Sequence, residues 1–401
     1  MEPETVHRII DEIDFEFARE GVPDGFPHLP RIRAERYLDP DFFALEMEAI
    51  RKCWVIVGTV HDWPNVGSYH VVDRWNSASV VVVRGEDQVI RAFYNTCQHR
   101  GAPVVRDDCG TAARLRCQFH SWQYGLDGSL VNIPGRRDFA ADLDLGANAL
   151  RPVRCEIWRG FVFVNLAADT PTLVEWLGPI AGQAVWFDGL RTVAKSSMEL
   201  QCNWKIAIES NIEVYHVTTV HPSTVARSLD YRGSAHELYG TGHSRMVVPR
   251  LDYDAAATRA AAAHGDPFDA LINNSNVSFL LFPFHLTPSG NRSMTLQTFW
   301  PLDVDRTLLE WQTMVPDWGD GEPPTQGVDK NIYFDKVMDE DTMNMEPVQR
   351  SLRSPSFDGI LTSYHERRIY HHEASVDRLI GIDKVPEHLR VPQVLARLHA
   401  G

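Results

Sequence analysis

CQHRG at residues 97–101 and CQFHSW at residues 117–122 each set a cysteine beside a histidine. The spacings differ, Cys97-x-His99 against Cys117-x2-His120, and seventeen residues lie between His99 and Cys117. From about residue 53 to 165, short β-branched runs (WVIVGTV, SVVVVRG, VIRAFYN, IWRGFVFVNL) alternate with Gly, Pro, Asn and Asp. That texture predicts a small antiparallel β domain with frequent turns. Both pairs follow a strand-like run, so each is expected on a loop.

Two thiolates and two imidazoles could hold zinc, but zinc sites draw like ligands in pairs, as C-x2-4-C with H-x3-5-H. Here each loop supplies one of each. Mixed pairs suit two irons, one taking both thiolates and the other both imidazoles, which is the Rieske [2Fe–2S] arrangement. Zinc and ordinary core packing are the competing readings. Cys53, Cys109, Cys155 and Cys202 read as small apolar residues.

The 401 residues are enough for two to three domains, and 44% hydrophobic with 23% charged residues is ordinary globular composition. A formal net charge of −15 opposes binding to nucleic acid or anionic membrane. The first residues are acidic without an apolar core, and no run reaches the roughly 18–20 apolar residues of a span. Six scattered cysteines do not make a disulfide framework. A cytoplasmic protein is expected.

A second cluster lies in NWKIAIESNIEVYHVTTVHP, residues 203–222. Residues 204–216 read as a helix, with Glu213 and His216 on one face. His221, five residues after His216, reaches the same point only if the helix ends or bulges between Val217 and Val220. Two histidines and a carboxylate make a facial triad for Fe(II). The segment MDEDTMNMEPVQR, residues 338–350, offers Asp339, Glu340, Asp341 and Glu346, and the residues alone do not choose among them. Segments 278–287, 293–302 and 307–316 read as strands and 330–380 as helical. The Ala-rich stretch 255–263 and residues 317–327 read as surface loops.

FYNTCQHRGAPV (93–104), RCQFHSWQYGLDGSL (116–130), the 203–222 segment and DTMNMEPVQRSLRS (341–354) together resemble the large (α) subunits of Rieske-type non-haem iron oxygenases, the ring-hydroxylating oxygenases. The resemblance spans nearly the whole chain. It implies an α+β protein: a Rieske antiparallel β domain and a helix-grip catalytic domain with a curved antiparallel sheet. The expected boundaries are 1–39, an N-terminal helical extension packing on the catalytic domain; 40–165, the Rieske domain; and 166–401, the catalytic domain.

By the same resemblance, Cys97 and Cys117 bind one cluster iron and His99 and His120 the other, while His216, His221 and Asp341 bind a mononuclear iron. Glu213 is expected to bridge His120 of one subunit to His216 of the next in a head-to-tail homotrimer, with or without a small β subunit. Most members carry Asp there. Two further departures are Ser210, where Asn is usual, and Phe119, where Tyr is frequent. The implied function is a terminal oxygenase using O2 and, through a separate reductase and in some systems a ferredoxin, NAD(P)H. The lack of a GxGxxG strand–turn–helix agrees with an external donor. By family prevalence the substrate is a small aromatic compound, hydroxylated or oxidatively demethylated. Glu213 points to the alternative, a betaine- or carnitine-like quaternary ammonium compound. A second alternative is an electron-transfer Rieske protein without catalytic iron.

Overall fold

The computed structural model describes residues 1–75 and 78–400. The chain divides into two compact units, Arg51–Leu173 and a unit built from Met1–Ile50 with Val174–Gly401. The architecture is α+β.

The smaller unit is all antiparallel β. Its seven-stranded sheet runs in the order Val55–Thr59, Phe161–Asn165, Pro152–Trp158, Ile90–Tyr94, Ala78–Arg84, Ser68–Trp75, Cys109–Thr111. A three-stranded sheet of Leu115–Arg116, Gln123–Tyr124 and Leu130–Asn132 completes it. Val81, Val83, Phe93, Leu115, Trp122 and Tyr124 share one buried core with Cys97 and Cys117. The cysteine loops are therefore anchored by a buried apolar core of this unit.

The larger unit is built on a nine-stranded sheet. The segments read as strands are strands: Ser275–Leu281, Ser293–Asp303 and Arg306–Pro316. The last two pair antiparallel from Met294↔Met314 to Asp303↔Arg306. Helices Thr325–Thr342, Met345–Ser351 and Arg367–Ile380 occupy the region read as helical. The Ala-rich stretch is a helix, Ala255–His264, rather than a loop. Asp254 caps it by accepting from Ala257 N, and alanine has the highest helix propensity.

The domain boundary also differs from the expected one. Helix Pro40–Ile50 belongs to the larger unit, not to the β domain. The cause is a buried polar core: Lys205 Nζ meets Glu46 Oε1 at 2.5 Å, with both side chains fully buried, and Trp204 Nε1 donates to Glu46 Oε2. Arg36 pairs with Glu373 at 2.5 Å and Asp377 at 2.7 Å, also fully buried. Residues 166–173 stay with the β unit, because Trp54 Nε1 donates to Pro171 O and Leu173 N to Glu156 Oε2.

Candidate metal centres

The two cysteine loops have the same size. Cys97 N donates to Ala102 O at 2.8 Å, and Cys117 N to Trp122 O at 3.0 Å, five residues on in each case. Gly101 N and Ser121 N return to the carbonyls of Cys97 and Cys117, and both residues have positive φ, 73° and 59°. Glycine takes that conformation freely, and Ser121 takes it at some cost. Within equal loops, the one-residue difference in histidine position brings the two rings together, with centroids 4.6 Å apart.

The donors fit a cluster. Cys97 and Cys117 are buried free thiols, and burial pushes the Cys97 thiol up, further raised by its neighbour Cys117. Burial, aided by His120, lowers the His99 pKa, so the ring is neutral and able to ligate. His99 stacks on Trp122 at 4.8 Å and 6°, which fixes its plane, and its buried Nδ1 has no hydrogen-bond partner among the described residues. His120 is exposed. Tyr124 was not singled out in the sequence. Its hydroxyl accepts from Gln98 N at 3.0 Å and lies 3.3 Å from Cys97 Sγ, to which it would donate once that sulfur is a thiolate ligand.

The second donor set forms where the expected helix fails. Helix Trp204–Glu209 stops at Glu209, because Ser210 Oγ and Asn211 Nδ2 both turn back to Ala207 O. Short polar side chains compete with the helix in this way. Glu213 and His216 therefore meet in a turn, not on a helical face. Glu213 accepts from Tyr215 N and from His216 N, and its other oxygen contacts His216 Nδ1. A one-turn helix, Val217–Val220, then carries the chain to His221.

His216 Nε2 lies 3.3 Å and His221 Nε2 2.9 Å from the same Asp341 Oδ1. Donor atoms of the three residues lie within 4.8 Å of one another, a spacing one metal ion can bridge. Asp341 is buried, whereas Asp339 and Glu346 are exposed. Glu340 takes a different part: its carboxylate receives His221 Nδ1 at 2.7 Å, Ser223 Oγ at 3.0 Å and Thr224 Oγ1. Each histidine thus has its Nδ1 tied to a carboxylate, leaving Nε2 toward Asp341. Such partners fix the tautomer and orientation of a metal-binding ring. Burial opposes protonation of His216, but hydrogen bonds to Asp341 and Glu213 outweigh it and raise its pKa to about 10.

The triad opens on a cavity of about 410 Å³. Ser278, Leu286, Thr295 and Gln297 line it from the strands expected there. The aromatics of those strands turn away: Phe279 stacks on Trp186, and Phe284 packs on Trp300 and Trp204. Among the described residues, its aromatic rings are Tyr333 and Phe334 of the Asp341 helix.

Comparisons with known proteins divide along the same lines. Residues 53–146 match the Rieske [2Fe-2S] domain, and residues 187–382 match the catalytic domain of the ring hydroxylating alpha subunit. A glycine betaine monooxygenase oxygenase subunit of Chromohalobacter salexigens is 36% identical over 198 residues, 49% of this chain and 44% of that protein. A carnitine monooxygenase oxygenase subunit of Escherichia coli K12 is 26% identical over 357 residues, 84% of this chain and 89% of that one. The solved structure of a quaternary ammonium Rieske monooxygenase shares the fold, with a TM-score of 0.75, 23% identity, and coverage of 90% of this chain and 99% of that one. With both iron-binding donor sets in place and both domains matched, the chain belongs to the Rieske non-haem iron oxygenases, as a catalytic α subunit.

Proposed function

We propose that this terminal oxygenase acts on a quaternary ammonium compound, oxidising a carbon bound to the nitrogen. The observation that carries the reading is that most of the oxygenase subunits found similar to it are named for glycine betaine or for carnitine, against one named for 2-aminobenzenesulfonate. The cavity is compatible: Glu213 and Asp341 bring carboxylates to the iron end, which suits a cationic group. This reading replaces the aromatic substrate expected from family prevalence.

Cys97, His99, Cys117 and His120 would hold the cluster, and His216, His221 and Asp341 the mononuclear iron. When bound, these centres supply electron delivery and O2 activation. The protein's own part is positional. Glu340 and Glu213 orient the two histidine rings, and Val214, Val217, Met246 and Val248 form an apolar wall beside them. For an N-methyl group, one oxygen atom enters a C–H bond and the other leaves as water, using two electrons and two protons. The hydroxymethyl ammonium then releases formaldehyde and a proton, leaving a tertiary amine.

As the oxygenase subunit of a multicomponent system, the chain requires a separate reductase. The same proposal gives Glu213 its bridging place between His120 of one protomer and His216 of the next in a homotrimer. The test is turnover of iron-loaded protein with a reductase and NADH on betaines, carnitine and aromatic acids, reading formaldehyde or amine product. Coupled turnover of a quaternary ammonium compound supports the reading. Turnover confined to aromatic acids refutes it.

A further inference from the structure

The cavity wall carries a cation that no carboxylate among the described residues answers. Lys330 lines the same cavity as the triad, and its Nζ donates to Ser293 Oγ at 2.6 Å. That hydroxyl is its only polar partner among the described residues. Arg250, the other cation on the wall, pairs with Asp252 at 3.3 Å. Lys330 is half-buried, and burial lowers its pKa with no acid to offset it. A desolvated, unpaired ammonium is costly, and at a ligand site a ligand can compensate it.

Its place along the cavity matters. Lys330, Phe334, Val337, Met338 and Asp341 all line the cavity from one helix, at spacings that keep them on one face. At ~1.5 Å per residue, Lys330 stands about 16 Å along the axis from Asp341. The facing strand repeats the polarity, with Ser293, Thr295 and Gln297 on one side, Ser293 beside Lys330 and Gln297 beside Met338. The cavity therefore has its acids and histidines at one end and its free cation at the other. Ser278 Oγ and Gln297 Oε1 are buried on the same wall and have no hydrogen-bond partner among the described residues.

We infer that Lys330 receives a substrate carboxylate, so that this oxygenase selects an organic acid held by its charged end with the oxidised carbon directed at the triad. The inference deepens the proposed function, because it narrows quaternary ammonium compounds to zwitterionic acids over choline-like alcohols. The carboxylate preference can nevertheless be judged separately from the nature of the other end.

The experiment compares acids with their methyl esters, in a trimethylammonio series of increasing chain length and in an aromatic series. Binding is measured by calorimetry on the protein, and turnover on the iron-loaded enzyme with reductase. Wild type should prefer acids. Lys330→Met should weaken acid binding by about ten- to a hundredfold, raise KM accordingly, and leave kcat within about twofold and ester binding unchanged. Lys330→Arg should retain the preference, and unchanged cluster absorbance reports an intact fold. Equal binding of acids and esters, no binding of any acid, or a preference that survives Lys330→Met overturns the inference. Lys330-dependent selection among aromatic acids alone would refute the quaternary ammonium reading and leave this one standing.

Discussion

Replacing Tyr124 with Phe should lower the reduction potential of the cluster. Gln98 N donates to the tyrosine oxygen at 3.0 Å, and a thiolate at Cys97 Sγ, 3.3 Å away, has no proton of its own, so the phenolic hydroxyl is its donor in the loaded protein. A hydrogen bond to a charged acceptor contributes about 1.5–3 kcal/mol. Reduction adds negative charge to the cluster and its sulfur ligands, so the bond favours the reduced state. Only the difference between oxidation states counts, and for a long contact to sulfur about 1–2 kcal/mol is a reasonable share. At about 59 mV per 1.4 kcal/mol for one electron, the variant should sit roughly 40–90 mV below wild type. A redox titration followed by circular dichroism or electron paramagnetic resonance measures this directly. Loss of the Gln98 N partner should also cost about 1–3 kcal/mol of stability, visible as a lower Tm. A fully loaded variant whose potential is unchanged or higher would refute the donor role of Tyr124.

Four further outcomes follow from the geometry. His221→Ala should leave the cluster spectrum intact while mononuclear iron falls below about a tenth of an equivalent by metal analysis, since a facial triad loses one of three ligands; retained iron would remove His221 from the site. Glu213→Gln should keep both metals yet slow cluster reoxidation in single-turnover mixing by about ten- to a hundredfold, in line with losing an orienting partner; unchanged kinetics would exclude the bridge. In the metal-free protein His216 titrates near pH 10, above its ordinary 6.5, so its contribution to stability is complete below about 6.5 and fades as pH rises toward 10. Fe(II) must displace that proton, so calorimetry in buffers of different ionisation enthalpy should show proton release on binding at pH 7.5, and affinity that rises with pH. Lys205→Met should destabilise the protein by about 3–5 kcal/mol, because it leaves Glu46 buried without its cation; a Tm within about a degree of wild type would contradict that.

The cluster loops were legible because their geometry is local. Two cysteines, two histidines and a left-handed residue four places after each cysteine lie within short contiguous stretches, where covalent spacing nearly dictates which atoms converge. The strands at 293–303 and 306–316 were legible for the same reason. Tyr124 was not, because it reads simply as an alternating strand residue until the hairpin brings it under the Cys97 loop. The break after Glu209 rests on two small hydrogen bonds from Ser210 and Asn211, against a segment whose apolar spacing favours a helix. In Ser293–Asp303 nearly every residue is buried, so alternation could not tell Phe299 in the core from Gln297 on the cavity wall.

The sequence by itself determined that the chain carries two kinds of iron-binding donor sets, in a β domain and an α+β domain. Ligand chemistry is written in residue types and short spacings. The residues alone left Asp341 level with its acidic neighbours, and the family resemblance singled it out; only the tertiary structure decided that Glu340 holds His221 from behind and that Lys330 stands without a counter-ion on the same wall. Those assignments depend on helix rotation and on partners about 120 residues away, and packing, not local spacing, sets both.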